Sequence, residues 1–261
     1  MSVAADAPAD LERRFGGLRR LYGDAGYERL RQASVAVVGV GGVGSWAVEA
    51  LARSGVARLV LIDLDQVAES NVNRQIQALG ATLGAAKVDA LAARIADIHP
   101  GCEVLRVEEF VEPGNWPALL PCPVDVLIDA CDQTRAKQAL AAWGLASGVP
   151  VICVGAAGGK TQPQRVEVAD LAETTHDPLL AGLRQRLRRD GVVARSGPAR
   201  LTCVFSREPV AAPVDAACAT DGSLNCAGYG SSVTVTATFG FVAAAEALAK
   251  ILAAKSACKV V

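Results

Sequence analysis

The chain has 261 residues, 51% of them apolar and only 4% aromatic, which supports a substantial core and excludes a solvated, disordered chain. Its 26 Lys and Arg against 27 Asp and Glu give a net charge of -1, excluding a uniformly basic nucleic-acid coat while leaving room for a local basic patch. The eight cysteines include no CxxC pair, which argues against a zinc site built from paired thiolates.

The opening MSVAADAPADLERR carries early acids and no apolar run, so no signal peptide is predicted and a reducing cytoplasm is the expected compartment. The first thirty residues read as an amphipathic helix with Leu11, Phe15, Leu18 and Leu21 on one side, an arm outside the core. A strand at Val35 to Val38 follows, then a glycine turn and an Ala-rich helix from Ser45 to Ser54, stopped by Gly55. The next strand, Arg58 to Ile62, ends at Asp63, and strand, helix, strand in this order predicts a right-handed parallel unit.

The alternation continues with a helix at 85–98, strands at 103–107 and 124–128, a helix at 134–147 and a strand at 150–154. An antiparallel stretch at 164–168, a basic helix at 178–189 and a strand at 201–206 follow. Ser231 to Leu252 is apolar over nearly a membrane-spanning length, but Glu246 and Lys250 interrupt it. It reads as a short strand running into a buried helix, with a peripheral membrane contact as the lesser alternative. The fold class expected is α/β: a Rossmann-like, mostly parallel sheet with helices on both faces, a helical arm and a C-terminal antiparallel and helical elaboration. One domain is expected over 1–261, with the nucleotide-binding half at 31–156 and a substrate and dimer elaboration at 157–261.

Gly39, Gly41, Gly42 and Gly44 stand between a strand and a helix, where absent side chains let the backbone approach a phosphate and the helix N-terminus attracts its charge. Asp63, 19 residues beyond Gly44, stands where an acid receives ribose hydroxyls, so the pair predicts an adenine nucleotide. Asn71, Arg74, Gln75 and Lys87 separate ATP from NAD. Attack on an α-phosphorus needs cations to stabilise the departing pyrophosphate, a need that hydride transfer does not have. Asp132, in Asp129-Ala130-Cys131-Asp132 after another strand, is an acid where magnesium could bridge phosphates.

The glycine turn, Asp63, Asp65, Asn71, the Asn73-Arg74-Gln75 run, Lys87 and the 129–132 segment together resemble the E1-type adenylating superfamily. Arg14-Phe15-Gly16-Gly17, Arg20-Leu21-Tyr22-Gly23, Asp177-Pro178-Leu179, Cys203 to Ser206 and Thr236 to Phe241 resemble its tRNA threonylcarbamoyladenosine dehydratase branch. The resemblance implies a homodimer in which Asp63 holds the ribose, Gly41 and nearby amides receive phosphates, and Arg74 and Lys87 grip the triphosphate. It further implies that Asn71 and Gln75 complete the pocket, that Asp132 holds Mg2+, and that Arg20 or Arg14 enters the partner's site.

The implied reaction is adenylation of the threonyl carboxylate of threonylcarbamoyladenosine at tRNA position 37, followed by intramolecular ring closure. Ring closure within one molecule needs no enzyme nucleophile. The alternative within the superfamily is adenylation of a ubiquitin-like sulfur carrier, although the missing CxxC pairs favour the dehydratase branch. A non-catalytic nucleotide-binding adaptor and an NAD-linked oxidoreductase are rivals from other classes.

Arg184, Arg186, Arg188 and Arg189, with Arg195 and Arg200 nearby, form a basic patch that reads either as a tRNA contact or as an exposed helix face. Cys226 lies in a glycine-containing stretch and is the candidate reactive thiol, the family being linked to a cysteine desulfurase sulfur relay. Cys131 and Cys153 read as core residues, Trp46, Trp116 and Trp143 as packing, and His99 and His176 as having no metal or base role.

Overall fold

The computed structural model describes residues 9–211 and 229–254. Seven strands form one sheet: β1 (Ser34–Val38), β2 (Arg58–Ile62), β3 (Glu103–Val107), β4 (Val126–Asp129), β5 (Val151–Val154), β6 (Val166–Asp170) and β7 (Thr202–Ser206). Their order is β3-β2-β1-β4-β5-β7-β6, and every pairing is parallel except β6 against β7. β1, β4 and β5 are buried at every residue, as a parallel sheet covered on both faces requires.

The described helices are α1 (Leu11–Leu30), α2 (Gly44–Arg53), α3 (Lys87–Ile98), α4 (Thr134–Ser147), α5 (Pro178–Arg189) and α6 (Val233–Ala253). The alternation of side chains along β1 separates two cores. Val35 and Val37 join Val48, Leu51, Leu91, Phe239 and Ala243 under α2, α3 and α6. Ala36 and Val38 join Leu140, Leu180, Leu183 and Leu187 under α4 and α5. After β3 the chain returns past β1 to lay down β4 on its other side, so the strand order reverses between β1 and β4. The carboxyl ends of those two strands therefore open a crevice.

Apart from α1, expected over the first thirty residues but beginning at Leu11, and the segment leading into α6, the elements fall within two residues of the sequence expectation. The segment from Ser231, expected to begin as a strand, contains none and is helical from Val233. Ser232 accepts a hydrogen bond from the Thr234 amide as the N-cap, and Thr238 Oγ1 donates to the Thr234 carbonyl at 2.7 Å, so the β-branched residues are absorbed into a helix. Tertiary packing outweighs their strand propensity. A side chain at Gly240 would start 2.5 Å from the Val43 carbonyl oxygen, so glycine lets α6 lie directly on α2. α6 is long and apolar enough to cross a membrane by length and composition, yet it buries Val235, Phe239, Ala243, Ala247 and Ile251 in the core.

The arm expectation for α1 also changes. Gly23, at φ 71°, interrupts the helix and resets its phase, so no single stripe runs along it. Phe15 before the kink and Tyr27 and Leu30 after it are buried, whereas Leu21 is 69% exposed. Leu30 belongs to the core beneath α6, and the helix is a docked element of the fold.

Candidate active site

The crevice between β1 and β4 is a cleft of about 260 Å³, and its floor is the glycine turn. The four glycines have two different reasons to be there. A Cβ on Gly39, which sits at φ +80°, would meet the Ala130 carbonyl oxygen at 2.9 Å, and one on Gly44 would lie 1.9 Å from the Gly39 carbonyl oxygen. These two close the turn on itself, and Gly44, expected among the cofactor contacts, does not line the cleft. Gly41 and Gly42 do line it and meet nothing closer than 3.4 Å, so their lost side chains leave backbone accessible to a ligand.

Asp63 is buried at the end of β2, with Oδ2 accepting from the Val40 amide at 2.8 Å and Oδ1 from the Asp65 amide at 2.9 Å. It thereby ties the glycine turn to β2, while each oxygen keeps capacity for a second hydrogen bond. Burial pushes its carboxyl above the usual range, and the Lys87 charge opposes that rise. Lys87, buried in the first turn of α3, forms an ion pair with Asp65 at 2.6 Å. A cation is poorly placed at a helix N-terminus, so Asp65 offsets the helix dipole as well as the desolvation.

Asn71 closes the turn ahead of the next segment, its Oδ1 accepting from the Ala68 amide at 3.0 Å. Arg74 is held at the cleft by donation to the Ser70 carbonyl at 2.6 Å and to Asn73 Oδ1 at 2.9 Å. Trp46 does more than pack: its indole N–H donates to the Arg74 carbonyl at 2.9 Å. Gln75 is buried and accepts from Gln77, whose Nε2 also donates to the Val40 carbonyl at 3.0 Å, linking this segment to the glycine turn. Gln77 carried no sequence signal, because its role depends on a turn 37 residues away.

Asp132 is exposed at the cleft beyond β4. Cys131 beside it is half-buried: it packs against the core under α4, as expected, and also lines the cleft, because β4 ends before it. Its sulfur donates to Asp129 Oδ1 at 2.9 Å, and burial followed by the Asp129 charge pushes the thiol well above the usual cysteine value. Cys153 is fully buried. The opposite wall is backbone from Gly155 to Gly158 with Leu179. There Asp177 accepts from the Ala156 amide at 2.9 Å while capping α5 through the Leu180 amide, which joins the basic helix to the cleft wall.

The structure thus brings Gly39, Gly41, Gly42, Asp63, Asp65, Asn71, Arg74, Gln75, Lys87 and Asp132 to one cleft. Arg20 is exposed on α1, outside the cleft of its own chain. Arg14 donates to the Ile98 carbonyl at 2.7 Å and to that of Asp97, so it is occupied in docking α1 on the end of α3. The basic patch is smaller than its composition predicts. Arg184, expected as a tRNA contact, is half-buried and donates to the Leu171 and Thr174 carbonyls at 2.9 Å. Arg186 and Arg188 are half-buried, and Arg189 is exposed but paired with Asp190 at 2.9 Å. Cys226 lies outside the described residues.

The ThiF family pattern matches residues 14–259. The tRNA threonylcarbamoyladenosine dehydratase of Escherichia coli is 44% identical over 251 residues, covering 92% of this chain and 94% of that protein. Its counterpart in Haemophilus influenzae is 41% identical over 249 residues, covering 94% and 95%. The crystal structure of the E. coli tRNA N6-threonylcarbamoyladenosine dehydratase in complex with ATP aligns with a TM-score of 0.86 at 43% identity, over 95% of this chain and 98% of that one. With the glycine turn, the acid closing β2 and the Arg74 and Lys87 wall in place, the chain belongs to the ThiF family, in the branch of the tRNA threonylcarbamoyladenosine dehydratases.

Proposed function

We propose that the chain uses ATP to dehydrate N6-threonylcarbamoyladenosine at position 37 of tRNA to its cyclic form, through an acyl-adenylate. The carrying observation is a single cleft that combines the cleft-lining Gly41 and Gly42 with Asp63, Arg74 and Lys87, in a chain 44% identical to a named dehydratase over 92% of its length. A carboxylate oxygen of the substrate attacks the α-phosphorus and pyrophosphate departs. The carbamoyl group then closes the ring and AMP departs, so the nucleoside loses the elements of water. Arg74 and Lys87 stabilise charge on the departing pyrophosphate, Asp63 receives the ribose, and the walls keep water from the mixed anhydride.

Asp132 is the residue that would hold magnesium. Among the described residues no three His, Cys, Asp or Glu groups cluster as a metal cage. A single exposed carboxylate suits a cation carried by phosphates, whose charge the ion would neutralise. In a homodimer, Arg20 is the better candidate to enter the partner's cleft, since Arg14 is already engaged within its own chain. The tRNA backbone would meet the exposed Arg189, Arg195 and Arg200.

Exchange of labelled pyrophosphate into ATP tests the reading. Exchange should depend on tRNA bearing the threonylcarbamoyl group. Exchange with a ubiquitin-like carrier and not with modified tRNA would replace this reading with carrier activation.

A further inference from the structure

Lys137 lies in the first turn of α4 and is completely buried. Burial and the positive end of the helix dipole both oppose an ammonium there, so its presence requires compensation from specific partners. Three partners supply it. Lys137 Nζ lies 2.9 Å from Asp129 Oδ2, and it donates to the Val154 carbonyl at 2.9 Å and the Asp129 carbonyl at 3.3 Å. Burial is the largest single influence and lowers the ammonium's pKa, but the Asp129 charge and contact together with the neighbouring Cys131 and Cys153 raise it further than burial lowers it, so the lysine stays protonated.

The two carbonyls belong to different strands. The β4–β5 ladder ends at the Asp129 and Cys153 pair, after which Val154 pairs with β7. Lys137 sits at the point where the strands part and ties one end to the other. Beyond Asp129 the chain continues into Cys131 and Asp132, and beyond Val154 into Gly155 to Gly158; both segments line the cleft. A buried ion pair is not needed for stability, since apolar replacements of such pairs are often neutral or better. Its location beneath two cleft segments gives it a different use.

We infer that Lys137 is a positioning residue for the adenylation step: it sets the spacing between the Asp132 segment and the Gly155 to Gly158 wall, and so the geometry of the reacting end of the cleft. The nucleoside end is built on β1 and β2 around Asp63 and does not involve Lys137. This inference rests on the reading of the cleft as an adenylation site, so wild-type protein must first show ATP-dependent, modified-tRNA-dependent AMP formation. Failure there would sink that reading and not this inference.

The test uses the full-length Lys137→Met/Asp129→Asn double variant, which leaves no unpaired buried charge and keeps an acceptor for the Cys131 amide. Lys137→Met alone reports the cost of stranding Asp129. The double variant should bind AMP in calorimetry with unchanged affinity, which establishes that it is folded, while single-turnover AMP formation falls about a hundredfold, as expected when reacting groups are misplaced by about 1 Å. Wild-type turnover in the double variant would overturn the inference. A parallel loss of AMP affinity would overturn it too, by showing that Lys137 supports the whole cleft and not one end.

Discussion

The two walls of the cleft use their lysines in opposite ways. On the β2 side, Lys87 is buried against Asp65 at 2.6 Å but lines the cleft, in reach of a ligand. Across from it, Lys137 and Lys160 are also buried, yet neither lines the cleft: Lys137 is held by the Asp129 carboxylate and two backbone carbonyls, and Lys160 donates to the Ser206 carbonyl at 3.1 Å and the Glu208 carbonyl at 2.8 Å. One wall therefore offers cationic side chains to the cleft, and the other presents glycine-containing backbone held in shape from behind. A buried lysine is accordingly not a mark of catalysis in itself. Its partners decide what it does.

This contrast can be broken most forcefully at the side-chain wall. Arg74→Ala and Asp132→Ala should each lower dehydration turnover by about 10²–10³-fold, as loss of a charge-stabilising group does, while circular dichroism and thermal melting stay near wild type. Full turnover in either variant would remove that residue from the proposed machinery. The glycine turn gives the next largest effect and divides it by role. Gly44→Ala, whose new methyl would overlap the Gly39 carbonyl, should cost about 3 kcal/mol or more in urea unfolding. Gly42→Ala has ordinary contact distances of 3.4–3.5 Å and should leave stability nearly unchanged while weakening ATP binding in calorimetry.

A smaller effect concerns α1. His99 is fully buried, its ring stacks on Phe15 at 4.7 Å between centroids, and its Nε2 faces the Arg31 guanidinium. Burial, then the Arg31 and Arg14 charges, hold its pKa below the usual 6.5, so the fold favours neutral imidazole. A lowered histidine pKa means that stability is complete above about pH 6.5 and declines as pH falls, because the unfolded chain takes up the proton more readily. Melting temperature should drop below that pH more steeply for wild type than for His99→Gln, and equal slopes would refute the account. The smallest expected change is at Arg200, exposed on the basic surface: Arg200→Gln should lessen the salt dependence of tRNA binding by about one charge's worth in the logarithmic slope.

The side-chain wall was legible in the sequence because its chemistry is local: glycines at the end of a strand, an acid at the end of the next, cations within a short segment. The bounds of β2, α4 and α5 were equally legible, since periodicity and stop signals coincide there. The backbone wall was not. Lys137 carries no signal in the sequence, because its partners come together only when α4 is laid over β4 and β5, and Arg184 reads as part of a basic face until its inward carbonyl contacts are known. The threonines of α6 read as a strand because their propensity is local while the α2 surface that overrides it is distant in sequence. The residues of the glycine turn and the side-chain wall left a pattern; Gln77, Lys137 and Arg184, which hold backbone distant in sequence, did not.

The most direct measurement is mass spectrometry of the nucleosides released from threonylcarbamoylated tRNA after incubation with this protein and magnesium ATP. The account predicts that the modified nucleoside at position 37 loses the mass of one water and that AMP accumulates with it. An unaltered nucleoside, with wild-type protein shown in the same sample to bind ATP, would contradict it.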